Sequence, residues 1–373
     1  MSRVARVILA GFYPPPYAGE PIHVKQLAQF LRARGLDVRV LNLNRQAPPS
    51  PEYLRAEGRG ATLRMLFILP ERLAIVHLHT NGHNWKSWLM ILTVALAARL
   101  RGARALLTIH SGLFPGYASA FGPLTRRLAR WVLRSFERVI AVNSEIERAM
   151  HGLGLSPEQV ALIPAFLGVP QPGMLDEADR RLLENRRPLL VAVGGGDRDP
   201  ELGLPVVVDA LPALVRRFPT LRALFVGWQV GPKTRPLIEG SGLAEQAICL
   251  GEVSHDRCLG LLQEADIVVR STYADGDAIT VREALDLGVP VVASDTAFRP
   301  AGVVLFRKGD ARDLLAKIEG VLAAPGSRPD RAAGSDQPAR DLWRIYAGLV
   351  DQDPTLLPAS RPSRDSRAPV TPP

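Results

Sequence analysis

One loop holds the densest chemistry in the sequence. From Arg270 to Leu285 it reads R-S-T-Y-A-D-G-D-A-I-T-V-R-E-A-L, directly after the apolar run Ile267–Val269. A small, Gly-containing turn that opens a helix leaves backbone N–H groups unpaired, and such a helix start attracts anions such as a diphosphate. Asp275 stands before that helix, and Glu283 lies one to two turns inside it. A carboxylate accepts two hydrogen bonds, which suits the vicinal hydroxyls of a ribose. The same residues also permit a plain structural role, with Asp275 or Asp277 capping the helix and Glu283 paired to a basic neighbour.

Such a loop needs a sheet behind it. Apolar, β-rich runs at Val4–Ala10, Val38–Leu43, Ile75–His79, Ala105–His110 and Arg138–Val142 read as buried parallel strands, with helical patterns such as His23–Arg34 and Leu124–Phe136 between them. A second series runs through Leu189–Val193, Ala223–Val226, Ala247–Leu250, Ile267–Val269, Val289–Ala293 and Val303–Phe306, with helices at Leu204–Arg217, His255–Glu264 and Thr280–Leu287. Alternation of this kind predicts doubly wound parallel sheets in an α/β protein. The chain divides into an N-terminal unit at 1–165, a Pro-, Gly- and charge-rich linker at 166–187 and a second unit at 188–335. A helix at 336–351 is placed back toward the first unit, and 352–373 has the composition of a disordered tail. Two open sheets that face each other bind ligands in the crevice at the carboxyl ends of their strands.

Composition narrows the class. At 373 residues, 47% hydrophobic and 22% charged, the chain has core enough for two globular domains. Its two cysteines, Cys249 and Cys258, exclude a disulfide framework and fit a reducing cytoplasm. The run Trp88–Ala98 is too short to span a bilayer and reads as a buried helix. Residues 1–165 carry 21 Lys and Arg against 9 Asp and Glu, a net +12, whereas the remainder carries 25 against 28. That asymmetry points to an anionic partner for the first half. No helix-turn-helix, RNA-recognition or zinc-finger pattern supports nucleic acid. An anionic membrane face fits better, because Arg126, Arg127, Arg130, Arg134 and Arg138 recur beside Leu124, Leu128 and Trp131. His77, His79 and His83 lack partner carboxylates or thiols, so no metal site is expected.

The stretch Asp275–Asp295, D-G-D-A-I-T-V-R-E-A-L-D-L-G-V-P-V-V-A-S-D, resembles the signature of family-4 retaining glycosyltransferases of the GT-B fold: two acids with seven residues between them, then a Gly-Val-Pro-Val run. Asp275 replaces the usual Glu. The resemblance reaches to about Val350. It implies two Rossmann-like domains, with Gly19 of the Pro-rich first loop, Gly194, Arg198, Val253, Gly276, Asp277, Ala278, Ile279 and Glu283 around the donor. It further implies Glu283 on the ribose, Asp275 on hydroxyls of the transferring sugar, and His110 near sugar and acceptor; Asn143 and Ser144 rank lower. The basic pair usual in the Gly194–Leu204 loop is absent, with Gly195 and Leu202 at its positions, so Arg198 is the substitute.

The implied activity is metal-independent transfer, with retention, from a nucleoside-diphosphate sugar to a glycan or lipid-linked acceptor in surface polysaccharide synthesis. No cofactor beyond that co-substrate is implied. The expected location is the cytoplasm, peripheral on the inner face of the membrane. The alternatives are a non-catalytic nucleotide- or glycan-binding protein on the same fold, favoured by the missing basic pair, and a nucleotide-sugar 2-epimerase.

Overall fold

A computed structural model describes residues 6–55, 75–165, 168, 171–194, 203–227, 230, 234–296, 298–324 and 337–351. Arg198, Gly195, Leu202 and the tail beyond 351 lie outside them. Seven parallel strands make the first sheet: β1 (Arg6–Gly11), β2 (Asp37–Asn42), β3 (Leu54–Arg55), β4 (Ile75–Thr80), β5 (Arg104–Ile109), β6 (Arg138–Ala141) and β7 (Val160–Leu162), in the order β3-β2-β1-β4-β5-β6-β7. Six more make the second: β8 (Leu189–Val193), β9 (Arg222–Val226), β10 (Ala247–Gly251), β11 (Ile267–Arg270), β12 (Val291–Ser294) and β13 (Val304–Phe306), ordered β10-β9-β8-β11-β12-β13. Strand order reverses between β1 and β4 and between β8 and β11, the places where such sheets open a crevice at their carboxyl ends.

Helices cover the sheets: α1 (Gly19–Ala33), α2 (Trp85–Arg101), α3 (Phe114–Ser119), α4 (Pro123–Leu133) and α5 (Ser144–Gly152) belong to the first half. The second holds α6 (Glu177–Leu183), α7 (Leu204–Arg217), α8 (Thr234–Gly240), α9 (His255–Glu264), α10 (Ile279–Asp286) and α11 (Ala311–Ala323), and α12 (Gln337–Asp351) closes the described chain. Their starts are set by short polar side chains that take the first free N–H groups: Asn84 for α2, Asn143 for α5, Ser254 for α9 and Asp310 for α11. Each sheet is buried on both faces, which is why its strands are runs of Val, Ile, Leu and Ala.

Two features differ from the sequence expectation. Helix α2 is half-buried: Ile91, Val94, Ala95 and Ala98 face the core, but Trp85, Leu89, Leu96 and Leu100 are exposed. The segment 166–187 contains α6, whose buried Asp179 takes two hydrogen bonds from Arg257 at 2.6 and 2.9 Å, so it docks on the second half. At the far end, α12 packs Leu342, Tyr346 and Leu349 into the first half's core beside Leu9, Leu27 and Leu106.

Candidate functional site

A cleft of about 380 Å³ lies between the two sheets. His110, Asp275, Glu283, Gly19, Gly194, Val253, Gly276, Asp277, Ala278 and Ile279 all line it, together with Arg270. Residues from loops after β1, β5, β8, β10 and β11 therefore converge on one space, although up to 264 positions separate them in sequence (Gly19 to Glu283).

On the second half's wall, α10 begins at Ile279 after an extended Ala278 that offers no side-chain cap, so its first N–H groups face the cleft without a built-in acceptor. Glu283 is 1% exposed. His255, the first residue of α9, donates from Nε2 to Glu283 Oε1 at 2.6 Å. Burial pushes the His255 imidazole down, but the hydrogen bond and charge of Glu283 outweigh this and raise its pKa. Cys258, one turn further along α9, is pushed up to about 12 by burial and the Glu283 charge, so its thiol is inert.

Asp275 departs from the expectation of a carboxylate aimed at sugar hydroxyls. Arg270 grips it from Nε (3.2 Å) and Nη2 (2.7 Å), Arg299 adds Nη1 at 2.6 Å, and the Thr272 hydroxyl donates to the same oxygen as Arg299. Three of these four hydrogen bonds fall on Oδ2 and one on Oδ1. Burial opposes ionisation, yet the two guanidiniums hold the Asp275 carboxyl far below the usual range. Asp277 also departs from donor binding through its side chain: its carboxylate takes both oxygens' bonds from Arg282 Nε (2.7 and 2.9 Å) and one from the Ala165 N–H (2.8 Å). That last bond ties the second half to the end of the first. What Asp277 turns to the cleft is mainly backbone.

The first half contributes a different chemistry. His79 Nδ1 and His110 Nε2 are hydrogen-bonded at 3.1 Å, and His23 packs on both rings while its Nδ1 donates to the Ala165 carbonyl at 2.5 Å. His77, behind them, bonds Thr108 Oγ1 and the Tyr346 hydroxyl, each at 2.7 Å. Burial lowers all four imidazoles, His23 to about 4 and the others well below the ordinary value. The ligand-capable nitrogens of His23, His79 and His110 come within 4.8 Å of one another, a grouping different from the His77, His79 and His83 set examined in the sequence. Glu20, on the first turn of α1, accepts the Phe12 N–H at 3.3 Å and is pushed up to about 7 by burial. Glu20 and Phe12 also line a second cavity of about 530 Å³ with Arg45, His79, Trp85 and Lys86.

The halves meet backbone to backbone. A Cβ on Gly276 would lie 1.7 Å from the His110 carbonyl oxygen, and one on Gly112 would lie 2.3 Å from that of Asp275. Asn143 caps α5 with its oxygen and spends its nitrogen on the Gly276 carbonyl at 2.6 Å. Around Gly19 a Cβ would meet no protein atom, so what lies there is the cleft. Sequence reasoning missed His255, Arg299 and Glu20. Helix α9 was foreseen, and its first side chain after a Ser cap was the available signal for His255; nothing in sequence links Arg299 to a carboxylate 24 positions earlier.

Comparison with known proteins agrees with this architecture. Residues 18–167 match the family model described as Glycosyltransferase Family 4, and residues 187–324 match Glycosyl transferases group 1. The phosphatidyl-myo-inositol mannosyltransferase of Mycobacterium leprae is 27% identical over 362 residues, covering 89% of this chain and 91% of that protein. Among solved structures, Anabaena Alr3699/HepE in complex with UDP and glucose superposes with a TM-score of 0.70 at 14% identity, over 92% of this chain and 100% of that one. Sucrose-phosphate synthase from Thermosynechococcus elongatus gives 0.68 at 19% identity, over 93% and 98%. At those identities the structures speak to fold alone, and the two parallel sheets form the GT-B fold. The two family models, matched one on each of the halves that build the cleft, mean that the chain belongs to the family-4, group 1 glycosyltransferases.

Proposed function

We propose that this glycosyltransferase moves a sugar, with retention of configuration, from a nucleoside-diphosphate sugar to a lipid-linked acceptor during synthesis of cell-surface glycans. The observation that carries the reading is the buried Glu283, held by His255 in a two-sheet cleft that also receives the open start of α10. In this reading Glu283 accepts the ribose hydroxyls and His255 fixes its orientation. The α10 amides and Arg198 meet the diphosphate, and no divalent metal takes part. His110 orients the transferring sugar. The acceptor hydroxyl attacks the anomeric carbon on the face that the diphosphate leaves; the C–O bond to phosphate breaks, a new glycosidic bond forms, and the hydroxyl proton passes to the departing phosphate oxygen. Contact between the 110–112 and 275–276 loops keeps water, a competing acceptor, out of the cleft.

The lipid acceptor is supported by the name of the mycobacterial relative and by the second cavity, whose mouth carries Trp85, Leu89 and Lys86. Nearby in the fold, α4 exposes Leu124, Leu128 and Trp131 beside Arg126, Arg127 and Arg130. A basic face with exposed apolar side chains suits an anionic bilayer surface, and among the described residues no helix is long and apolar enough to cross one. We therefore place the protein peripherally on the cytoplasmic face. The test supplies mannosyl, glucosyl and N-acetylglucosaminyl nucleotides with vesicles containing phosphatidylinositol, and measures released nucleoside diphosphate and new glycolipid. Transfer by the wild type with a fall of roughly 30- to 100-fold in Glu283→Ala supports the reading. Release of nucleotide by neither protein from any donor sinks it.

A further inference from the structure

The leaving diphosphate needs cationic stabilisation, and the described part of the cleft contains a candidate that sequence spacing left open. Arg270 ends β11, lines the cleft, and reaches across to β8, where its Nη1 donates to the Val193 carbonyl at 3.0 Å. Val193 ends β8 immediately before Gly194, and both line the cleft. Arg299 has a different position. Its Nε, Nη1 and Nη2 are spent on Ser294 O, Asp275, Thr272 Oγ1 and Ser294 Oγ, its side chain is 3% exposed, and it does not line the cleft.

A guanidinium has five N–H groups. Among the described residues Arg270 uses three of them, two on Asp275 and one on Val193, which leaves one on each terminal nitrogen. Asp275 would neutralise a lone arginine, but among the described residues two arginines share it, so this trio carries a net +1. A buried pair with balanced charge needs no second cation; the surplus is what an anionic ligand would answer.

We infer that Arg270 is a second catalytic cation, beside the Arg198 of the donor reading, that binds and stabilises the leaving diphosphate, with Asp275 and Arg299 as positioning residues that hold its guanidinium at the cleft wall. This rests on the donor reading given above and replaces the basic pair that the sequence lacks at Gly195 and Leu202.

Calorimetry on the full-length chain tests it, with UDP and GDP set against uridine and guanosine. The wild type should bind one diphosphate more tightly than its nucleoside. Arg270→Gln should weaken that diphosphate by about 10- to 100-fold while leaving the nucleoside unchanged, and kcat should fall by about 100- to 1,000-fold. Arg270→Lys should recover part of both. Arg270→Gln still leaves Asp275 paired one to one with Arg299 and bonded to Thr272, so the variant orphans no buried charge. It should keep the wild-type circular dichroism spectrum and still lack the diphosphate increment. Equal diphosphate affinity in wild type and Arg270→Gln overturns this inference alone, whereas a wild type that binds neither diphosphate overturns the donor reading with it.

Discussion

The two halves of the cleft bury polar groups by opposite means. On the first half, four imidazoles, of which His110 lines the cleft, are kept neutral by burial. They bond one neighbouring ring, a backbone carbonyl and two hydroxyls, and His79 Nε2 has no hydrogen-bond partner among the described residues. On the second, arginines or a histidine reach the buried carboxylates at 2.6–3.2 Å, so charge there is met by opposite charge. Both walls are the carboxyl edges of doubly wound parallel sheets. The neutral wall suits an uncharged sugar and acceptor; the charged wall suits a diphosphate and a ribose. The division of labour is thus written in the kind of polar group each sheet carries at its carboxyl edge.

Removing one member of the charged wall should do the greatest damage. Asp275→Ala leaves two buried guanidiniums facing each other, and is expected to destabilise the second half by about 3–5 kcal/mol, measured as the loss of its denaturant transition. Gly276→Ala attacks the seam between the walls: its Cβ falls on the His110 carbonyl, so kcat/KM should drop by about 100-fold with each half still folded by circular dichroism. On the neutral wall, Tyr346→Phe strips His77 Nδ1 of its partner, and should cost only about 1–3 kcal/mol in thermal denaturation.

The walls should also answer pH with opposite signs. His23 has a depressed pKa, so the stability tied to its neutral form is present above about 6.5 and is lost as pH falls through about 4. His255 has a raised pKa, so its contribution is complete below about 6.5 and is lost as pH rises through its folded value. Calorimetric scans between pH 4 and pH 9 should show the first half weakening on the acid side and the second on the alkaline side; parallel shifts would break the contrast. The smallest effect belongs to the outer surface. Leu124→Ser with Leu128→Ser should change stability by no more than about 0.5 kcal/mol while reducing sedimentation with anionic vesicles.

Much of the fold was legible because buried parallel strands are long runs of apolar β-formers. All six strands of the second sheet were foreseen, as were α7, α9 and α10. The two-residue β3 and the three-residue β7 were not, being too short for any period to declare itself, and neither were the short helices α3, α5, α6 and α8 or the 13-residue α11. At the site, positions were legible and partners were not. Glu283 and Asp275 could be placed at a helix start, but whether a carboxylate is open or occupied depends on side chains that arrive from elsewhere. His255 comes from 28 residues before Glu283 and Arg299 from 24 after Asp275, and no local rule reports such meetings.

The return of α12 to the first half bears on how the cleft can move. The chain passes from one sheet to the other after β7 and passes back between Ala323 and Gln337, so the halves are strung on two tethers. A single tether is a pivot point and allows swivelling in every direction. A pair defines a line, like the two pins of a door, and leaves opening and shutting about that line as the easy motion. The 110–112 and 275–276 loops would then come back to the same register after each turnover, and the acceptor would meet its donor along one fixed approach.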